Sequence, residues 1–182
     1  MKKTLFLLLY SLFVQLPLNF LPFLWIDVWY DNLSYIGNQL HHPFYLIFWS
    51  FSTALCLLFF SKLLFQKEKI CISSWPLYAS CLLMILSCLI PYSNGIYGWL
   101  DDFHVFSAML GTLGYCLIWI YLAVSMHKVH AFCIASLIQQ VLCIICAAFL
   151  CLCLAGHVNA LCEMIFAGFI PLLLSWYLYK IE

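Results

Sequence analysis

Long apolar runs alternate with short polar interruptions along the whole chain. A bilayer core of about 30 Å takes roughly 20 apolar residues per helix, so runs of that length are the informative elements. Six are present: Leu5 to Trp25, Pro43 to Leu64, Ser74 to Ile90, Asp102 to Val124, Ala131 to Leu154 and Asn159 to Tyr179. This pattern predicts an all-α fold, a polytopic membrane bundle of six transmembrane helices that forms one domain over residues 1–182. The first run follows Met1-Lys2-Lys3 and shows no small-x-small cleavage site before Asp27, so it reads as a retained signal anchor, kinked in its outer half by Pro17 and Pro22.

Six spans put all seven cations, every one a lysine, on one side: Lys2, Lys3, Lys62, Lys67, Lys69, Lys128 and Lys180. Lysines are retained on the cytoplasmic side of a membrane, so both termini are expected to be cytoplasmic and the plasma membrane is the expected location. The other side receives Asp27, Asp31, His41, His42, Asp101, Asp102, His104, His157 and Glu163, while Glu68, Glu182, His127 and His130 stay with the lysines.

Composition agrees with the spans and closes other classes. The 182 residues are 67% hydrophobic and 8% charged, with a mean hydropathy of +1.08, which excludes a water-soluble globular fold. Seven acids balance seven lysines, so no basic stripe exists for nucleic acid, and membrane lipids are the expected partners.

Lipid supplies no hydrophobic drive between helices, so small residues and interhelical hydrogen bonds must join them. Ser73, Ser80 and Ser87 recur every seven residues in the third span, and Ser107, Gly111 and Gly114 share a face of the fourth. Both read as packing seams. Gln15 in the first span and Gln139 or Gln140 in the fifth lie at similar depth and are expected to bond to each other. Trp25, Trp29, Trp75, Trp99, Tyr121 and Trp176 fall near span ends, as interface anchors do. Most of the eleven cysteines, including Cys143 with Cys146 and Cys151 with Cys153, lie inside spans and read as small apolar fillers; Cys88 and Cys162 near the outer side form a candidate disulfide.

The candidate chemistry is on the outer side. Asp101 and His104 are three residues apart on one helical face, which Ser107 and Gly111 continue toward a neighbouring helix. Glu163 sits at a similar depth in the sixth span, where a carboxylate needs a partner, and His104 or His157 is the natural choice. Without a metal, His104 and Glu163 would be a catalytic acid and base, the glutamate orienting the histidine. With one, carboxylates and imidazoles suit a divalent ion such as zinc, manganese or iron, and the candidate ligands are Asp31, Asp101, His104, His157 and Glu163. Each also has a structural role open to it. Asp101 and Asp102 can cap a helix, as can His157 or Asn159; His41 and His42 can sit at the headgroup boundary, and Asn32-Leu33-Ser34 has the form of a glycosylation sequon.

Several of these residues also carry a family resemblance. Asp31-Asn-Leu-Ser-Tyr-Ile-Gly-Asn38, followed by a Phe-rich second span, resembles the Ser-x-x-Gly segment of the small six-helix membrane proteins of the Frag/DRAM/Sfk group and of the bacterial domain-of-unknown-function family nine-nine-eight. Ile90-Pro91-Tyr92, then His104 with Ala108, then Gly156 leading to Glu163, follow in the same order. The resemblance implies a six-helix bundle with Ser34, Gly37, His104 and Glu163 at matched positions, and a link to lipid remodelling or membrane trafficking; Tyr35 stands where relatives often carry an acid. A looser analogy is with the seven-helix hydrolases that include alkaline ceramidases, whose last-helix His-x-x-x-His pair this chain lacks.

These readings rank a membrane protein with an outer His/carboxylate pocket, binding a metal or a lipid headgroup and hydrolysing the lipid, above a non-enzymatic scaffold or accessory subunit. A small transporter ranks third, since no midplane charge or broken-helix glycine pair is present.

Overall fold

The computed structural model describes residues 3–93, 96, 98–125 and 132–182, and among them every regular element is helical. Seven helices succeed one another: α1 Thr4–Leu24, α2 Leu33–Asn38, α3 Pro43–Lys67, α4 Trp75–Leu89, α5 Gly98–Ser125, α6 Phe132–Ala155 and α7 Ala160–Lys180. Helices α1, α3, α5, α6 and α7 are long and apolar enough to cross a membrane. Helix α4, at the place of the third expected span, is apolar but shorter. Its 15 residues give a rod of about 22 Å, short of a hydrocarbon core of about 30 Å.

Boundaries otherwise move by one to four residues. The largest shift is at α5, which begins at Gly98 because Asp101 lies inside its first turn instead of capping a helix at 102. Lys2, His127, Lys128, His130 and Ala131 lie outside the described residues.

Proline shapes the two outer helices of the chain. Pro22 has no N–H for Leu18 O, and Tyr45 Oη donates there instead at 3.1 Å. Pro171 likewise leaves Ala167 O, which receives Gln15 Nε2 at 3.0 Å. Wide π turns at Ser11–Gln15 and Ile165–Phe169 lie where these helices meet.

Gln15 therefore has different partners from those expected. It donates to Thr53 Oγ1 at 2.8 Å, and its Oε1 accepts from Ser52 Oγ at 2.5 Å. Gln139 and Gln140 are exposed on α6, where Gln140 bonds only its own helix through Ser136. Helical rotation, which depth alone does not determine, turns α6's amides away from α1.

Helix α5 packs most closely on α4, with α3 beyond it. The serine and glycine seams meet here: a Cβ on Gly111 would lie 2.9 Å from Met84 N and Ser80 O, and one on Gly114 2.5 Å from Ser80 Oγ. Two main chains in such proximity hold the middle of α4 against the middle of α5. The apolar core continues below through Leu57, Leu64, Tyr115, Trp119 and Leu174.

Alternating helix directions sort the charges. Thr4 N donates to Glu182 at 2.8 Å and Tyr177 Oη to Glu68 at 3.1 Å, joining the ends of α1, α3 and α7. Lys62, Lys67, Lys69 and Lys180 belong to this end. The aspartates, His104, His157 and Glu163 belong to the other, where α2 lies between α1 and α3.

A serine and a histidine at the acidic end

Helix α2 is the one element that the hydropathy pattern passed over. Asn32 opens it, its Oδ1 accepting Tyr35 N at 2.9 Å. Glu163 Oε2 accepts the N–H of Leu33, the first helical residue, at 2.8 Å. Asn38 closes the other end by donating Nδ2 to Ser34 O at 2.9 Å and accepting Tyr92 N at 3.1 Å. Gly37 allows the close approach to α3, since a Cβ there would lie 2.9 Å from Leu46 Cβ.

The loop before α2 is joined to α7 in the same manner. Ala160 N donates to Asp31 O at 2.6 Å, Leu161 N to Val28 O at 3.0 Å and Asn159 Nδ2 to Trp29 O at 3.1 Å. Asn159 also caps α7 through Cys162 N.

Helix α2 presents Ser34 to His104, a buried residue of α5. Ser34 Oγ lies 2.8 Å from His104 Nε2, and His104 Nδ1 lies 3.0 Å from Ile90 O, just past the end of α4. A carbonyl oxygen only accepts, so Nδ1 carries the proton toward Ile90. In the neutral ring Nε2 then holds a lone pair, and Ser34 donates to it. The Tyr92 ring lies 5.3 Å from the imidazole, centre to centre. This is the hydrogen-bond sequence of a nucleophile, a general base and an orienting acceptor, with a main-chain carbonyl in the third position.

The five proposed metal ligands do not converge, and among the described residues no three His, Cys, Asp or Glu side chains form a ligand group. Their donor atoms are engaged elsewhere. Asp31 Oδ2 accepts Asp27 N at 3.1 Å, within a turn. Asp101 turns back to Ser93, accepting its N–H at 2.6 Å. His157 directs both ring nitrogens at carbonyls, Ala155 O at 2.9 Å and Tyr30 O at 3.0 Å. Both ring nitrogens are directed at these carbonyls and not toward the other four residues, so this arrangement does not gather the ligands that zinc needs.

Glu163 and His104 do not touch either. They contact adjacent residues of α2, Leu33 and Ser34, so the carboxylate acts on the serine's helix and not on the imidazole. Cys88 and Cys162 are free thiols; Cys162 Sγ donates to Asn159 O. His42 stacks on Trp25 at 5.2 Å, and His41 adopts φ +58° in the turn before Pro43.

Tyr92 lines two openings, neither of which has Ser34 or His104 in its lining. A cleft of about 190 Å³ is lined by Tyr30, Asp31, Asn32, Tyr35, Gln39 and Tyr92. A wider groove of about 610 Å³ runs along α5 past Trp99, Phe103, Phe106 and Met109. Sequence reading gave no role at the site to Asn38, Tyr92 or Ile90 O, which appeared only within motifs of the family resemblance, and Ser34 entered through that resemblance and the glycosylation sequon. Asn32, three residues before the residue whose N–H it caps, was the available signal for α2. No family model, curated protein or solved structure matches the chain.

Proposed function

We propose that this protein is a six-span membrane hydrolase that cleaves carboxylic esters of membrane lipids at the extracytoplasmic face, with Ser34 as nucleophile and His104 as general base. The observation that carries this reading is the directed chain Ser34 Oγ to His104 Nε2 and Nδ1 to Ile90 O. The lysines at the opposite end support cytoplasmic termini in the plasma membrane. Helix α4, tucked between α3 and α5, would cross where those longer neighbours shield its ends. The resemblance to the Frag/DRAM/Sfk group, linked to lipid remodelling, points the same way.

Ser34 Oγ attacks the ester carbonyl carbon while its proton passes to His104 Nε2. The imidazolium is held by Ile90 O through Nδ1–H. The tetrahedral adduct collapses, the C–O bond to the alcohol breaks, and the alcohol leaves with the proton from Nε2. Water then attacks the acyl-serine, giving a proton to Nε2 that returns to Ser34 Oγ as the acid departs. Base assistance of this kind contributes on the order of 10²–10⁴ in rate. Glu163 and Asn38 are positioning residues, since both hold α2 and neither touches the reacting atoms.

The test is covalent labelling of the purified protein by a fluorophosphonate, with the modified residue identified by mass spectrometry, beside hydrolysis of short-chain lipid esters. Ser34 is expected to carry the label, and Ser34→Ala and His104→Gln to lose label and turnover at normal membrane abundance. Turnover that survives Ser34→Ala would refute the mechanism. Absence of label and turnover in the unaltered protein, with both variants depleted from the membrane, would favour the scaffold role.

A further inference from the structure

The smaller cleft has a chemical character that hydrolysis alone does not require. Three tyrosines, Tyr30, Tyr35 and Tyr92, form its walls together with Asp31, Asn32 and Gln39. Aromatic ring faces are negative and attract cations, and a carboxylate beside them adds a full charge. Asp31 is fixed by the hydrogen bond from Asp27 N, and Asp27 brings a second acid to the same turn. No lysine lines the cleft, and the lysines among the described residues belong to the other end of the bundle. A phosphate or carboxylate seated against Asp31 would be repelled by its carboxylate, whereas an ammonium would be attracted.

The cleft also adjoins the reactive pair. Asn32 and Tyr35 flank Ser34 on α2, and Tyr92 lies against the His104 ring. Tyr92 also lines the groove along α5, with Trp99, Phe103, Phe106 and Met109.

We infer that the Tyr30–Tyr35–Tyr92–Asp31 cleft is a recognition site for an organic ammonium group, the choline or ethanolamine end of a lipid. The inference deepens the proposed hydrolysis and rests on that reading only for the chemistry after binding. On the proposed hydrolysis, a lipid held by its ammonium in the cleft would be anchored next to Ser34 along the chain, through Asn32 and Tyr35.

Binding is measured on full-length Ser34→Ala protein in detergent, which cannot turn over, by calorimetric titration with dihexanoyl phosphatidylcholine, phosphatidylethanolamine and phosphatidylglycerol. The first two are expected to bind at least about tenfold more tightly than the third, with choline chloride competing. Asp31→Asn, which keeps an acceptor for Asp27 N, is expected to weaken phosphatidylcholine binding about fivefold or more, as is Tyr35→Leu. Tyr35→Phe retains the ring and is expected to bind as before. Equal affinity for phosphatidylglycerol would overturn the inference. So would equal losses in Tyr35→Phe and Tyr35→Leu, which would mark a hydroxyl bonding a neutral headgroup. Hydrolysis by the unaltered protein without headgroup preference sinks the ammonium site and leaves the hydrolase. Phosphatidylcholine binding without hydrolysis does the reverse.

Discussion

Replacing Gly111 by alanine adds one methyl group where α4 and α5 touch. The new Cβ would lie 2.9 Å from Met84 N and 2.9 Å from Ser80 O, whereas ordinary contact begins near 3.4 Å. Both obstacles are backbone atoms of a continuous helix, so no side-chain rotation relieves them, and α4 must move away by roughly half an ångström. A rigid helix carries that displacement to its C-terminal end, where Ile90 O accepts from His104 Nδ1 at 3.0 Å. The bond is then stretched to about 3.5 Å, the limit of useful geometry. Overpacking of this kind destabilises by about 1–3 kcal/mol, and misplacing a catalytic group by up to about 1 Å costs as much as 10²-fold in rate. Gly114→Ala is the control, because the one atom its Cβ would crowd is Ser80 Oγ at 2.5 Å, the end of a rotatable side chain, with Ser80 Cβ at an ordinary 3.6 Å. The assays are thermal unfolding in detergent and ester turnover at matched protein abundance. The prediction is loss of stability and turnover in Gly111→Ala, with Gly114→Ala close to the unaltered protein in both. Equal behaviour of the two variants would refute the claim that main-chain contact at Gly111 sets the position of Ile90.

Two substitutions test the polar contacts directly. Glu163→Gln keeps an oxygen for Leu33 N and is expected to retain most turnover, whereas Glu163→Ala strands that N–H and destabilises by about 1–3 kcal/mol; turnover assays on both decide, since a carboxylate acting as acid or base would not survive the amide. Gln15→Leu removes bonds to Thr53, Ala167 O and Ser52. At about 0.6 kcal/mol for each bond in a membrane protein, the loss is about 2 kcal/mol, and thermal unfolding should show it while Gln140→Leu, on the exposed face of α6, leaves stability unchanged.

The membrane class was legible from hydropathy, and the α4–α5 seam from serines and glycines at helical spacing. Both are sums or periods over neighbouring residues, which a helix converts directly into a surface. The polar end was legible as a location. Lysines on one side and acids with histidines on the other marked which loops to search, and His104 was correctly turned inward because Ser107 and Gly111 share its face. The partners of these groups were not legible. Glu163 needed a donor inside the bundle, and the histidines were the chemically reasonable choice. A six-residue helix inside a polar loop supplied an N–H instead, and six residues are too few to show a period.

What the sequence by itself determined is the solvent this protein folds in, the approximate extent of its apolar helices and the end of the bundle that carries ionisable groups. Hydrophobic free energy adds along the chain regardless of what lies opposite. Tertiary structure alone decided that Ser34 meets His104 seventy positions away, that Ile90 O selects the tautomer, and that the five proposed metal ligands turn to separate partners instead of converging. Hydrogen bonds are short and directional, so their pairing depends on helix rotation and depth, which local pattern leaves open.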